Sequence, residues 1–307
     1  MRRRAIIATV SHAPRWSCAT PDGARKLVEE AAAHIRRAVL QGADIVAFPE
    51  AYPQLAAPAP MTAHAEPLDG GTLDAARDLA RRHSVHLVWP RFERDADGVL
   101  RNTSILIDRA GQVVGRYHKM FPTLGELEEG VLPGADCPAF DVDFGRVAMM
   151  ICFDLNFREV RDALRAREPD VVFFSSMYRG GRQCSELALD LGAFVATAIS
   201  AELGRIVDRA GAIVGVSTYE ALLARSVNLN SRMVHMDYNA DKVDSLLERH
   251  GAALTVEYHT QEARMVFGLE SSERDVDDLL QEAGVQTIDH YFARARAARA
   301  ALLTRAD

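Results

Sequence analysis

The chain has 307 residues, 48% of them hydrophobic and 26% charged, an ordinary globular composition that can bury a large core as one α/β domain or two. Its formal net charge of −7 gives no electrostatic reason to bind nucleic acid or an acidic membrane. No apolar run approaches the ~20 residues that span a bilayer, and the apolar stretch after Arg2–Arg4 is too short for a signal peptide, so a cytoplasmic protein is expected.

In chain order, a strand at Ala5–Val10 precedes a loop with Pro14 and Pro21. A helix follows, carrying Leu27, Ala31, Ile35, Ala38 and Val39 at helical spacing. "ADIVAFPE" reads as a strand buried on both faces and ending in a carboxylate. An irregular loop spans Pro53 to Pro67, and Gly70–Gly71 leads into a helix near Leu73–His83. From His86 to His118, β-rich runs broken at Asp97–Gly98 and Ala110–Gly111 read as hairpins. "GRVAMMIC" is another buried strand, with a helix from about Arg158. "DVVFFSS" and "AFVATAIS" are strands around a helix at Glu186–Leu191, and "GRIVDRAGAIVG" is a hairpin turning at Arg209–Gly211. This mixture predicts an α/β protein with mixed sheets.

After about Tyr219 the texture changes. "SVNLNSRMVHMDY" reads as a strand, a short helix runs to His250, and "LTVEYHT" and "ARMVFGLE" pair as strands. Ser272 with Asp275 marks a capping-box start for a helix that Gly284 ends, and a last helix spans about Thr287–Leu303. The arginines Arg294, Arg296 and Arg299 on it read as a solvated face. A catalytic domain is therefore expected over residues 1–218, with residues 219–307 as a C-terminal extension packed on it or at a subunit interface.

Three polar, reactive side chains stand where apolar strands end. Glu50 closes "ADIVAFPE", Lys119 follows "VVGRYHK", and Cys152 ends "VAMMIC". Strand ends are where α/β sheets assemble their sites. Singly, each has a bland explanation as a turn carboxylate, a turn lysine or a small core residue. The three together, each at the end of an apolar strand, are a stronger signal than any one alone. Cys18, Cys137, Cys152 and Cys184 show no CxxC pairing and no metal-ligand spacing with histidine, so neither disulfides nor a metal site is expected. The sequon at Asn102–Ser104 would go unused.

With these residues the sequence resembles the nitrilase superfamily of carbon–nitrogen hydrolases. The resemblance runs over about residues 5–218 through "FPEAYP", "GRYHKMFP" and "FGRVAMMICFDLNF". It implies a four-layer αββα sandwich, a Glu50–Lys119–Cys152 triad, no cofactor, a small-molecule substrate and a homodimer. Members often carry a second glutamate after the lysine. "KMFPTLGE" points to Glu126 in that role, whereas anchoring on "EGVLPG" points to Glu129.

The resemblance implies that Lys119 favours the Cys152 thiolate, that Glu50 shuttles the proton, and that the backbone N–H of Phe153 is a second oxyanion donor. Phe153 and Tyr178 are candidate substrate contacts. The chain departs from the family pattern after Cys-x-Asp, at Leu155–Glu159, and again at Met177–Tyr178. Arg179 and Arg182 are candidates for a substrate carboxylate or plain solvated loop residues.

Phe153 and Asp154 favour an amide or N-carbamoyl substrate, and "PTLGE" favours a nitrile. A Cys–His hydrolase using His12, His118 or His235, and a non-catalytic scaffold that kept the fold, stand as other classes. No P-loop or GxGxxG supports a nucleotide-binding module.

Overall fold

The computed structural model describes residues 4–271 and 273–304. Ser272, the anticipated capping residue, lies outside the described residues, as do Arg2 and Arg3. The chain divides into two compact units, residues 5–227 and the part from Asn228 onward together with Arg4.

The larger unit opens with β1 (Arg4–Val10), α1 (Pro21–Leu40), β2 (Ile45–Ala47), the short β3 (Glu66–Pro67) and α2 (Thr72–His83). A meander follows: β4 (His86–Arg94), β5 (Leu100–Ile107) and β6 (Val113–His118). Next come α3 (Leu124–Glu128), β7 (Ala139–Val142), β8 (Gly145–Ile151), α4 (Arg158–Arg167), β9 (Val171–Ser176) and α5 (Arg182–Leu191). β10 (Phe194–Ile199), β11 (Arg205–Val207), β12 (Ile213–Val216) and β13 (Leu222–Asn228) complete it.

Two sheets result, in the orders β13-β1-β2-β4-β5-β6 and β12-β11-β10-β9-β8-β7. They face each other: Ser104 Oγ meets Met149 Sδ at 3.2 Å, and Ser175 Oγ donates to the Phe48 carbonyl at 2.9 Å. Helices α1 and α2 cover the first sheet, and α4 and α5 the second. The architecture is the expected αββα sandwich.

Local chemistry explains the elements. In α1, Thr20 caps the first turn by accepting from Gly23 N–H, and Pro21 sits at the start, where its missing N–H costs nothing. Its buried stripe of Leu27, Ala31, Ile35 and Ala38 packs against Ala8, Val46 and Trp89. Full burial of one such leucine stabilises by roughly 1.5–3 kcal/mol, so a charge at Leu27 would detach the helix. The central strands β8 and β9 are buried almost throughout, as their unbroken apolar runs require.

Strand directions place the site. β1, β2 and β4 are parallel, β5 runs against them, and β6 therefore runs with them again. In the second sheet β8, β9 and β10 are parallel.

The smaller unit holds β14 (Ser231–His235), α6 (Val243–His250), β15 (Leu254–His259), β16 (Arg264–Leu269), α7 (Val276–Glu282) and α8 (Ile288–Leu303). Its antiparallel sheet, β14-β16-β15, buries Val234, Met265 and Phe267 against Leu246, Val276 and Leu280 of the helices. Asp275 caps α7 and Thr287 caps α8. Helix α8 is largely exposed, as its alanine–arginine pattern implies. Among the described residues no helix is long and apolar enough to cross a membrane.

Two strands mark the end of the larger unit. "SVNLNSRMVHMDY" does not form one strand: β13 joins the first sheet beside β1, and β14 joins the small sheet. Between them sits Asn230, whose buried amide donates to the Leu269 and Arg274 carbonyls and accepts from Val276 N–H. The unit boundary therefore falls at 227/228.

Candidate active site

Glu50, Lys119 and Cys152 stand just past the ends of β2, β6 and β8. The bond from Ser175 Oγ to the Phe48 carbonyl fastens the Glu50 segment to the sheet carrying Cys152. Cys152 opens a short 3₁₀ turn, Cys152–Asn156, with φ of 47°, and Ala51, directly after Glu50, has φ of 49°. Non-glycine residues in this region carry roughly 1–2 kcal/mol of strain each.

The ammonium of Lys119 lies between two carboxylates, 2.8 Å from Glu50 Oε1 and 2.7 Å from Glu126 Oε2. Lys119 is 1% exposed and Glu50 2%, so water screens this triad little. Glu126 is aimed by its own helix. Thr123 caps α3 in a reciprocal capping box, and Glu126 Oε2 accepts from Thr123 N–H at 2.7 Å as well as from Lys119. Glu129 points elsewhere and accepts from Thr62 Oγ1 at 2.6 Å. Of the two candidates, Glu126 is the one beside Lys119.

Asn102 was not singled out as a site residue. Its Nδ2 donates to Glu50 Oε1 at 2.9 Å and to Glu126 Oε1 at 2.7 Å, bridging both carboxylates. It lies at the start of β5, which runs opposite to the strands bearing the other residues. Hairpin pairing of Thr103 with His118 sets it beside Lys119, which accounts for the bond from Lys119 N–H to the Asn102 carbonyl. That mirror relation about Ala110–Gly111 was the sequence signal for it. The sequon is closed for the same reason: Asn102 is 1% exposed.

Burial alone would lower the pKa of Lys119, but Glu50, Glu126 and Cys152 outweigh it and hold the ammonium charged well beyond neutral pH. Burial raises Glu126, and Lys119, Asn102 and the Thr123 amide more than reverse this, leaving its pKa below the ordinary value. The Cys152 thiol is pushed up to about 12, first by burial and then by the charge of Glu50. Lys119 and hydrogen bonds from Ser176 and the Met177 backbone offset only part of that.

Lys119 does pull the thiol toward its ionised form, as expected, but burial and Glu50 pull harder the other way. The one ammonium is shared between two carboxylates, which limits what it can do for the sulfur. Glu50 Oε2 is buried without a hydrogen-bond partner among the described residues, an open acceptor on that carboxylate.

Around the cysteine, Phe153 packs edge-on against Phe157 at 5.1 Å, and Phe157 stacks on Phe121 at 3.8 Å. Tyr178 follows β9 half-buried. Burial and the nearby cysteines raise its hydroxyl pKa, so it stays a donor. Arg179 donates to the Glu202 carbonyl, and Arg182 is exposed. The histidines are engaged elsewhere: His118 with Thr103 at 3.0 Å, His12 with Glu30 at 3.5 Å, and His235 stacked on Tyr291. Among the described residues no hydrogen bond or ion pair joins a histidine to Cys152.

The family model of the carbon–nitrogen hydrolases matches residues 7–237. The chain is similar to a beta-ureidopropionase of Arabidopsis thaliana, with 34% identity over 95 residues, 29% of this chain and 23% of that one. It is also similar to an omega-amidase of Homo sapiens, with 26% identity over 159 residues, 49% of this chain and 58% of that one. The matched stretches thus span less than two thirds of these curated relatives. Among solved structures, an amidase from Nesterenkonia sp. superposes with a TM-score of 0.63 at 21% identity, over 74% of this chain and 91% of that one.

Proposed function

This chain belongs to the carbon–nitrogen hydrolase family, and from that premise we propose that it hydrolyses a small non-peptide amide or N-carbamoyl compound through a Cys152 thioester. One observation carries the proposal: a buried ammonium held between two carboxylates, one with an open oxygen, at the strand ends that also bear a half-buried thiol. The relatives named as an amidase and a ureidopropionase support the substrate class.

The chemistry follows from the resting protonation states. As Cys152 Sγ bonds to the carbonyl carbon, its proton passes to Glu50, so a full thiolate never has to persist. The negative charge moves to the substrate oxygen, where Lys119 and the Phe153 N–H stabilise it. That N–H, in the first turn after Cys152, has no acceptor within the helix. Collapse breaks the C–N bond, and the nitrogen leaves with the proton held on Glu50. Water then gives Glu50 a proton as its oxygen attacks the thioester, and the returned proton restores the thiol. Glu126 and Asn102 keep Lys119 and Glu50 oriented, while Phe153 and Tyr178 line the substrate.

Nitrile hydrolysis is the second reading, because the glutamate beside Lys119 is the one spaced as in "KMFPTLGE". Ammonia release from propionamide, N-carbamoyl-β-alanine and propionitrile, with the carboxylate products identified by mass, separates the readings. Activity on the first two and little on the third is expected. No release above a Cys152→Ala background from any member of an extended amide, carbamoyl and nitrile panel would leave the scaffold reading in possession. Assembly as a homodimer belongs to the same proposal, and sedimentation as a monomer at micromolar concentration would remove it.

A further inference from the structure

Asp154 is fully buried two residues past Cys152 and has no part in the chemistry above. Its oxygens collect three donors. Oδ2 accepts from the Tyr117 hydroxyl at 2.6 Å and from Ile151 N–H at 3.1 Å, and Oδ1 accepts from Phe121 N–H at 2.8 Å. The Tyr117 oxygen in turn accepts Met120 N–H at 3.3 Å. Tyr117 and Phe121 bracket Lys119 two residues to either side, and Ile151 directly precedes Cys152.

One carboxylate thus ties the Lys119 turn of the first sheet to the Cys152 turn of the second. We infer that Asp154 is a positioning residue that sets Lys119 against the Cys152 thiol across the two sheets. The inference rests on Cys152 being the nucleophile.

The alternative role, simple stabilisation, fits poorly, because a buried carboxylate is expensive and an apolar side chain of similar size commonly serves stability as well or better. A carboxylate is retained where its acceptor capacity is needed, and only the ionised acid can accept all three donors without a proton of its own to place. Burial raises its pKa to about 7, with the three donors and Lys119 pulling the other way. The titratable groups facing it are Tyr117, Lys119, Cys137 and Tyr178. All four are held above their ordinary values, so none of them titrates near neutrality. The tie is tight above pH 7 and loosens below it.

The test uses the full chain and iodoacetamide, with alkylation of Cys152 followed on its own peptide by mass spectrometry beside thermal unfolding. Asp154→Asn should unfold cooperatively and be alkylated on the order of 10-fold more slowly, or worse, the scale of a small misplacement of reacting groups. The wild-type rate should show an inflection near pH 7 that Asp154→Asn lacks. Tyr117→Phe should slow alkylation by a smaller factor, and the double variant should be no slower than Asp154→Asn, because both changes break one tie.

A folded Asp154→Asn chain alkylated at or above the wild-type rate, or with the inflection intact, would overturn the inference. Should that variant not fold, Tyr117→Phe decides: an unchanged rate and profile overturns it equally. Alkylation needs no turnover, so a wild-type chain that releases no ammonia from any panel member would defeat the hydrolase proposal and leave the alkylation result standing.

Discussion

Two of the buried ion pairs in the larger unit look alike and are built for different ends. Arg209 and Asp170, each 1% exposed on its side chain, pair at 3.1 Å in the second sheet. Lys119 and Glu50 pair at 2.8 Å at the strand ends of the first. The Arg209 pair is closed: the guanidinium also donates to the Gly192 carbonyl, and the other oxygen of Asp170 accepts Arg146 N–H. The Lys119 pair is open: among the described residues Glu50 Oε2 and Asn102 Oδ1 are buried without partners, and strained backbone flanks them at Ala51 and Cys152.

A native structure leaves few buried polar atoms unpaired, and those that remain require a reason. Closure marks a pair that supports the fold. An open acceptor beside a thiol is what the proposed proton transfer requires.

The comparison is broken most severely at the proposed nucleophile. Cys152→Ala should lower turnover ~10⁵-fold or more, as loss of a catalytic nucleophile does, with little change in thermal unfolding. Cys18→Ala, Cys137→Ala and Cys184→Ala should remain active.

Next, the two pairs should respond in opposite ways. Glu50→Gln should fold normally and lose turnover by ~10²-fold or more. Asp170→Asn should cost about 3–5 kcal/mol of stability, the scale for breaking a buried pair, with turnover per folded molecule unchanged. Denaturant titration and active-site counting on the same two variants measure this. Equal losses of stability and activity in both would erase the distinction.

A smaller effect is expected at Asn102. Asn102→Ala removes one donor shared by two carboxylates and should reduce kcat on the order of 10-fold, consistent with a hydrogen bond to a charged group. Parallel changes in kcat and KM explained by an unfolded fraction would argue against it.

The smallest effect concerns Glu126. Its folded pKa lies below the unfolded one, so its contribution to stability is present above the ordinary glutamate value and lost as pH falls through the folded value. Glu126→Gln should therefore be less stable than wild type at pH 7, with the gap narrowing as pH drops below about 4. A gap that stays constant to pH 3 would show that Lys119 does not hold Glu126 ionised.

Much of the fold was legible because burial leaves a pattern in one dimension. Strands covered on both faces read as unbroken apolar runs, and the hairpin turns carried Asp97–Gly98 and Ala110–Gly111. Where such a run stops at a polar residue, the strand end is located, and Glu50, Lys119 and Cys152 were found that way. The strand at Leu222–Asn228 was misassigned because nothing local separates it from Ser231–His235. The break depends on Asn230 reaching Leu269, Arg274 and Val276, some 40 residues away.

What the sequence alone determined, then, is the set of strand ends and the reactive types on them, because hydrophobic periodicity and chain order are properties of one dimension. Only the tertiary structure decided which groups meet. It set Glu126 rather than Glu129 beside Lys119 through the direction of a five-residue helix. It brought Asn102 in from an antiparallel strand. It also gave the Lys119 ammonium two carboxylate partners. Electrostatics depends on distance and burial in space, and a lysine that reads as an activator of Cys152 is, in three dimensions, already held by two carboxylates.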